Sequence, residues 1–373
     1  MSPRLQVATR KGLFTVERTG GAGVPWKITR ADFEGDNVTL VHAERGAEIL
    51  HAALDHGHFG VKMQRSTDSG ASWTELAAPA YPEKPEGLVD VDGFGKTEIP
   101  WTTKLIWSFA NGTPDQSGRV WCGTIPGGLF RSDDSGQSWE LVTSLWGHEG
   151  RKKWFGGGAD LPGIHSIVVD PRDGRHVTIG ISCGGVWETK DNGATWHQAA
   201  HGMRAAFLPP DKQYEPDSQD PHCIVQCPAQ PDVMWCQHHN GIFRTTEGPG
   251  KWHEITDVEP SVFGFAVAVH PTDPDTAFFV PAIKDEKRYP SGGQVVVTRT
   301  RDGGKSFDIL REGLPQEYAY DLVYRHSLDI DSTGDVLAFG STTGSLWITE
   351  DQGDSFLHVS GFLPPVYAVR FIE

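Results

Sequence analysis

Apolar and polar positions alternate with a period of two along most of the chain, in short runs broken by Gly, Pro, Asn and Asp. Ser166-Ile167-Val168-Val169-Asp170 is followed by the turn Pro171-Arg172-Asp173-Gly174, then by runs at 176–181, 185–189 and 195–198. The next stretch repeats this plan at 223–227, 233–236, 241–245 and 251–255, and a further unit opens on Ala266-Val267-Ala268-Val269-His270-Pro271. Alternating runs bounded by turn formers are strands. Nowhere do apolar residues recur at helical spacing over a useful length. The pattern predicts an all-β protein with four strands in each unit.

One turn joins the third and fourth strands and keeps returning. It reads Ser66-Thr67-Asp68-Ser69-Gly70-Ala71-Ser72-Trp73, Ser132-Asp133-Asp134-Ser135-Gly136-Gln137-Ser138-Trp139 and Thr189-Lys190-Asp191-Asn192-Gly193-Ala194-Thr195-Trp196. Two copies end in Phe307 and Phe356, and a degenerate one runs from Thr245 to Trp252. The Asp accepts backbone N–H bonds inside the turn, the Gly supplies positive φ, and the aromatic buries its ring beneath. With Trp26 as a seventh marker, the aromatics are spaced by 47, 66, 57, 56, 55 and 49 residues. A period near fifty with four strands per unit is that of propeller blades. Leu5-Gln6-Val7-Ala8-Thr9 matches a second strand, and Val366-Tyr367-Ala368-Val369-Arg370-Phe371 matches a first. The prediction is therefore a seven-bladed β-propeller, one domain over residues 1–373, whose C-terminal strand completes the first blade.

The turn pattern Ser/Thr-x-Asp-x-Gly-x-Ser/Thr-Trp/Phe is that of the Asp-box, or BNR repeat. The whole chain resembles Asp-box propellers: sialidases, sortilin-type receptors and photosystem II assembly factors. It is most similar to a bacterial group labelled "glycosyl hydrolase" or "exo-alpha-sialidase-like". The residues that carry this are Ala8-Thr9-Arg10-Lys11-Gly12-Leu13-Phe14, Gly127-Gly128-Leu129-Phe130-Arg131-Ser132, Leu161-Pro162-Gly163-Ile164-His165-Ser166 and Leu363-Pro364-Pro365-Val366. The resemblance implies the fold. It does not imply sialidase activity, because the Arg-Ile-Pro signature and arginine triad of sialidases have no counterpart around Val7-Ala8-Thr9-Arg10-Lys11-Gly12.

Composition narrows the partners. A net charge of −16 argues against nucleic acid and anionic membranes. No apolar run is long enough for a membrane span, and the first residues lack a signal-peptide pattern, so a cytoplasmic location is expected. Five Cys, an odd number, read as reduced thiols and not as a disulfide framework.

Propeller ligands bind near the axis, on the face formed by fourth-to-first and second-to-third strand connections. His165 and His222 each lie six positions before the turn proline of their blades (171−165 and 228−222), and Phe265 takes that place in the next. His238, His239 and Asn240 fall in a second-to-third loop, as do His56 and His58, Arg10 and Lys11, and Lys284 to Tyr289. Imidazoles converging from neighbouring blades suit general acid–base chemistry or one divalent metal ion. The candidate metal ligands are His165, His222, His238 and His239. His165 and His222, with Tyr320 as acid, are the catalytic candidates. Arg10, His58, Trp101, Asn240 and Arg288 are the substrate-binding candidates. Inserts at 79–103, 147–163 and 201–221 enlarge this face, and loops of that length often act as walls or lids. Gly156-Gly157-Gly158 is followed by no helix pattern, so it is not a phosphate loop.

Arg10, Arg151, Lys152, Lys153, Lys284 and Arg288 predict a cationic patch and hence a small anionic ligand, such as a carboxylated sugar. Two functions follow from the sequence. One is a lyase or hydrolase acting on a carbohydrate or similar anionic metabolite; the other is a non-catalytic scaffold docking a peptide or partner. A metal-dependent oxygenase, which needs a ring of histidines, is disfavoured by Phe265.

Overall fold

Seven antiparallel sheets of four strands each are arranged in chain order around an axis. The computed structural model describes residues 4–18, 20, 24–46, 48–157 and 159–372. The innermost strands of blades 2 to 7 are Val38–Ala43, Leu105–Asn111, Ile164–Val169, Pro221–Gln226, Gly264–Val269 and Leu328–Ile330. Blade 1 takes its innermost strand from the far end of the chain: Val366–Ile372 pairs antiparallel with Arg4–Thr9. Strand ends differ from the sequence pattern by one to three residues, while the third strands Gly185–Thr189 and Gly241–Thr245 begin and end as expected.

The second strand of a blade is covered on both faces by its neighbours. Val120–Ile125, Val177–Ile181 and Ala277–Pro281 are buried throughout, whereas outer strands such as Thr74–Leu76 are half exposed. The core is therefore a series of layers between blades. The layer that closes the ring packs Leu5, Val7, Val366 and Val369 of blade 1 on Ala338, Leu346 and Ile348 of blade 7. Burying such a layer removes the last open edges of the stack.

The recurring turn has the same hydrogen bonds in five blades. In blade 3, Asp134 Oδ1 accepts from the Ser138 N–H at 2.9 Å and Oδ2 accepts from the Ser138 hydroxyl at 2.6 Å. Asp68, Asp191, Asp302 and Asp351 repeat this. Two successive left-handed residues make the bend, such as Ser135 at φ 57° and Gly136 at φ 77°, and glycine holds the second place each time. The aromatic then seals the layer, with Trp196 3% and Trp252 2% exposed. In the degenerate copy the Thr245 hydroxyl donates to the Gly248 carbonyl, and Glu247 pairs with Lys251.

Helix among the described residues amounts to Thr143–Trp146 and a few 3-10 turns. Among the described residues no helix is long and apolar enough to cross a membrane.

Candidate functional site

A bulge near the start of the inner strand gives six of the seven blades a residue to aim at the axis. Pairing with the second strand slips between Val38 and Leu40, Ile106 and Ser108, Ile164 and Ser166, Pro221 and Cys223, Gly264 and Val267, and Val366 and Ala368. A bulge leaves a residue without a partner and turns its side chain out of the alternation. Thr39, Trp107, His165, His222, Phe265 and Tyr367 are freed in this way. Blade 7 supplies His326: the next residue, Ser327, bonds across to the Val366 carbonyl, as Ser108 bonds across to Ile164.

Two cavities lie along the axis. The one on the loop face has a volume of about 630 Å³ and is lined by Trp107, Asp220, His222, His239, Phe265 and Tyr367, among others. The one on the face of the recurring turns has about 930 Å³ and takes in His42, His165 and Arg370. Arg325 and His326 line both.

In the loop-face cavity, Asp220, His222 and His239 each present one ligand atom, and these atoms lie within 4.8 Å of one another. The outward-facing atoms of two of them are already engaged. His222 Nδ1 donates to the Gly264 carbonyl at 2.7 Å, which leaves Nε2 facing Asp220 Oδ2 at 3.6 Å. Asp220 Oδ1 accepts from the Cys183 N–H at 3.2 Å and the Ser182 hydroxyl at 3.4 Å, which leaves Oδ2 at 3.2 Å from His239 Nδ1. Cys183 reaches Asp220 from a left-handed conformation (φ 50°) unusual for a residue other than glycine. The Gly157 backbone crosses so close that a Cβ there would lie 2.7 Å from Cys183 Sγ.

Electrostatics bind the trio together. Burial raises the Asp220 carboxyl, but bonds from His222 and His239 bring it well below the usual carboxylate range. Burial lowers His222 and outweighs the pull of Asp220. In half-buried His239, Asp220 overcomes burial and the imidazole is raised. Two imidazole nitrogens and one carboxylate oxygen facing each other are a donor set for a divalent transition metal. Tying off the far nitrogen of a ligating histidine and the far oxygen of a carboxylate is how such donors are oriented.

The remaining sequence candidates scatter. His165 holds the same bulge position as His222, but its ring lines the opposite cavity, with Nδ1 on the Ser166 hydroxyl and Nε2 buried without a partner. His238 turns inward behind the trio, where its two nitrogens face the backbone N–H groups of Asp220 and Asn240. Asn240 accepts from the Ala206 N–H at 2.6 Å and so anchors the 201–221 insert, whose Phe207 packs edge-on against His239. Trp101 donates to Asp90 at 2.9 Å and lies against Trp146, outside the cavity. His58 is exposed beside Phe59. Tyr320 is 60% exposed and leans on Tyr289. Arg10 is exposed at the rim, and its charge acts on Tyr367. Arg288 lines the cavity and lies over Phe265. Gly156 and Gly157 line the cavity as well, and Gly158 lies outside the described residues.

The expected cationic patch is corrected by the structure. Arg151 closes on buried Asp90, Lys152 on Glu149, Lys153 on Asp217, Lys284 on Glu286, and Arg288 on Asp285. Carboxylates interleaved with the basic residues in sequence, or brought in by the facing insert, neutralise all five.

Three residues escape the sequence reading: Asp220, Arg325 and His326. Asp220 stands two positions before His222 at the end of a long insert. His326 lies six positions before Ser332, the distance that separates His165 and His222 from their turn prolines, so carrying that offset to a turn without proline finds it (332−326). The same count finds Trp107 from Thr113 (113−107).

No family model matches the chain. A curated relative, the oligoxyloglucan-reducing end-specific xyloglucanase of Emericella nidulans, is 23% identical over 227 residues, covering 53% of this chain and 24% of that enzyme. The chain thus spans about a quarter of that relative's length. Among solved structures, the GH74 xyloglucanase of Xanthomonas campestris superimposes with a TM-score of 0.60 at 17% identity, over 94% of this chain and 50% of the other. The periplasmic gluconolactonase of Pseudomonas aeruginosa gives 0.60 at 11% identity, over 100% and 99%. YCF48 from Cyanidioschyzon merolae gives 0.51 at 13%, over 96% and 95%. At these identities the likeness is one of fold. The class is the seven-bladed β-propeller, and its neighbours include glycoside hydrolases and gluconolactonases.

Proposed function

We propose that this protein is an enzyme of the hydrolase or lyase type that acts on a small carbohydrate-derived substrate, assisted by one divalent metal ion. The observation that carries this reading is the meeting of Asp220 Oδ2, His222 Nε2 and His239 Nδ1 at the wall of a cavity large enough for a small ligand. A metal held there would polarise a substrate oxygen or activate water. Tyr324 and Tyr367 would offer ring faces to a sugar, beside Trp107 and Phe265, whose own faces carry Arg325. Tyr324 and Tyr367 line the cavity and take the acid role expected of Tyr320. Burial raises the Tyr367 hydroxyl, so it stays protonated and able to donate.

The shared bond set of five recurring turns supports reading the chain as an Asp-box propeller. Five free, buried cysteines support a reducing, cytoplasmic setting.

A screen of glycosides, sugar lactones and uronides tests the activity. The expected result is turnover of at least one member, lost on chelation and lost in Asp220→Ala while cooperative unfolding is retained. A second reading, a docking scaffold, draws on exposed Phe59, Tyr318 and Tyr320. No turnover across the panel, together with no retained metal, would favour the scaffold.

A further inference from the structure

Arg325 is distinguished by lining the cavity without an ion pair; Arg65, also unpaired among the described residues and with a buried Nε, lies outside the cavity. Arg151, Arg299 and Arg370 close on Asp90, on Asp308 and Asp354, and on Asp329. Arg325 makes no ion pair among the described residues, and its Nε is buried without a hydrogen-bond partner. It is held instead by aromatic rings, with its guanidinium carbon 4.9 Å from the centroid of Trp107 and 5.3 Å from that of Phe265. These two residues occupy bulge positions, so the geometry that frees His222 also builds the clamp around Arg325. Burial lowers the guanidinium from its ordinary value, and Asp220 acts on it across the cavity without pairing.

A guanidinium desolvated between rings and left unpaired is costly unless an anion completes it. Its neighbours decide which anion. Arg288 is already matched by Asp285, Asp220 is engaged by Cys183, His222 and His239, and Asp55 accepts from the Gly57 N–H, so Arg325 is the lining guanidinium left without an ion pair. A monoanion suits this better than a phosphate dianion, which would bring a second charge towards Asp55 and Asp220, and a planar carboxylate can still take two parallel hydrogen bonds from the guanidinium.

We propose that Arg325 is the receptor for a substrate carboxylate, and that the substrate class is a monocarboxylate sugar acid. The carboxylate sits on Arg325, the ring lies among Trp107, Phe265 and Tyr367, and a hydroxyl or ring oxygen faces the Asp220–His222–His239 corner. This deepens the proposed function and rests on the same cavity, but not on the metal: Arg325 would bind the acid whether or not the trio holds an ion.

Calorimetric titration of the full chain with D-glucuronate, D-gluconate, D-glucose and inorganic phosphate tests it, with metal content measured on the same samples. Expected are saturable binding of a sugar acid, none of glucose, and weaker binding of phosphate. Arg325→Gln should weaken acid binding about tenfold or more with metal content unchanged, and Arg325→Lys should restore part of it. A wild-type protein that binds neither acid, or binds glucose equally well, overturns the proposal. So does an Arg325→Gln protein that unfolds cooperatively and binds the acid as tightly as wild type; should that variant fail to fold, undiminished binding by Arg325→Lys counts equally against the bidentate pairing. Acid binding in a metal-free wild type would remove the metal from the proposed function and leave the carboxylate receptor standing.

Discussion

The two faces of the ring use the same residue type in opposite ways. On the turn face, Asp68, Asp134, Asp191, Asp302 and Asp351 repeat one bond set in five blades, each carboxylate satisfied within its own turn. On the loop face, Asp220 occurs once, is 3% exposed, and draws its partners from Cys183, His222 and His239. A carboxylate that recurs with the blade period is architecture. One that breaks the period, is buried and faces two imidazoles is what the proposed chemistry rests on. The bulges lie between these cases: the backbone device recurs, and the residue it aims varies from Thr39 to Trp107 to His222.

The largest expected effect comes from breaking the symmetric part. Deleting the strand Val366–Ile372 exposes the layer of Leu5, Val7, Leu346 and Ile348, so the chain should lose its cooperative thermal transition. A truncated chain that melts like the full one would contradict ring closure as the source of stability. Next is a single seal: Trp196→Ala should cost about 3–5 kcal/mol, read by denaturant unfolding, without changing metal content. If metal binding falls in step with stability, the two faces are not separable.

Acid should then act through buried neutral imidazoles. Burial, with help from the charge of His51, pulls His42 down to about 3. Between the ordinary histidine value and that value, the unfolded chain takes up a proton that the native chain refuses. Stability is therefore present above the unfolded pKa and falls as pH drops through this window, by about 1.4 kcal/mol per pH unit for such a residue. His42→Gln should flatten the slope measured by unfolding between pH 6 and 4; an unchanged slope would rule His42 out. The smallest effect is expected from a single turn. Asp191→Asn keeps the acceptor for the Thr195 N–H and gives up the charge, so its unfolding midpoint should fall less than that of Trp196→Ala.

The repeat was legible because its parts act locally. An Asp, a Gly and an aromatic in fixed order dictate one turn whatever surrounds them, and the marker spacing then counts the blades. The kinship of His165 and His222 was legible too, as a fixed offset from a turn. What that offset could not reveal is which cavity each ring enters. His165 finds the Ser166 hydroxyl and settles on the far side, whereas His222 is drawn to the Gly264 carbonyl and Asp220. Asp220 was hidden because an insert has no period to align it. Arg325 was hidden because its meaning lies in a missing partner, and sequence cannot show that a neighbouring carboxylate is absent. The cationic patch misled for the converse reason: charges counted along the chain took no account of Asp90 and Asp217, which folding brings opposite Arg151 and Lys153.

The most direct measurement is elemental analysis of wild type beside His222→Ala and His239→Ala, each purified from metal-replete medium and checked for cooperative unfolding. The proposed Asp220–His222–His239 metal corner predicts one divalent transition-metal ion per wild-type chain and markedly less in both variants, at nearly unchanged melting temperature of the metal-free forms. A wild-type chain that carries no such ion, and takes up none on titration with zinc or manganese, would contradict it.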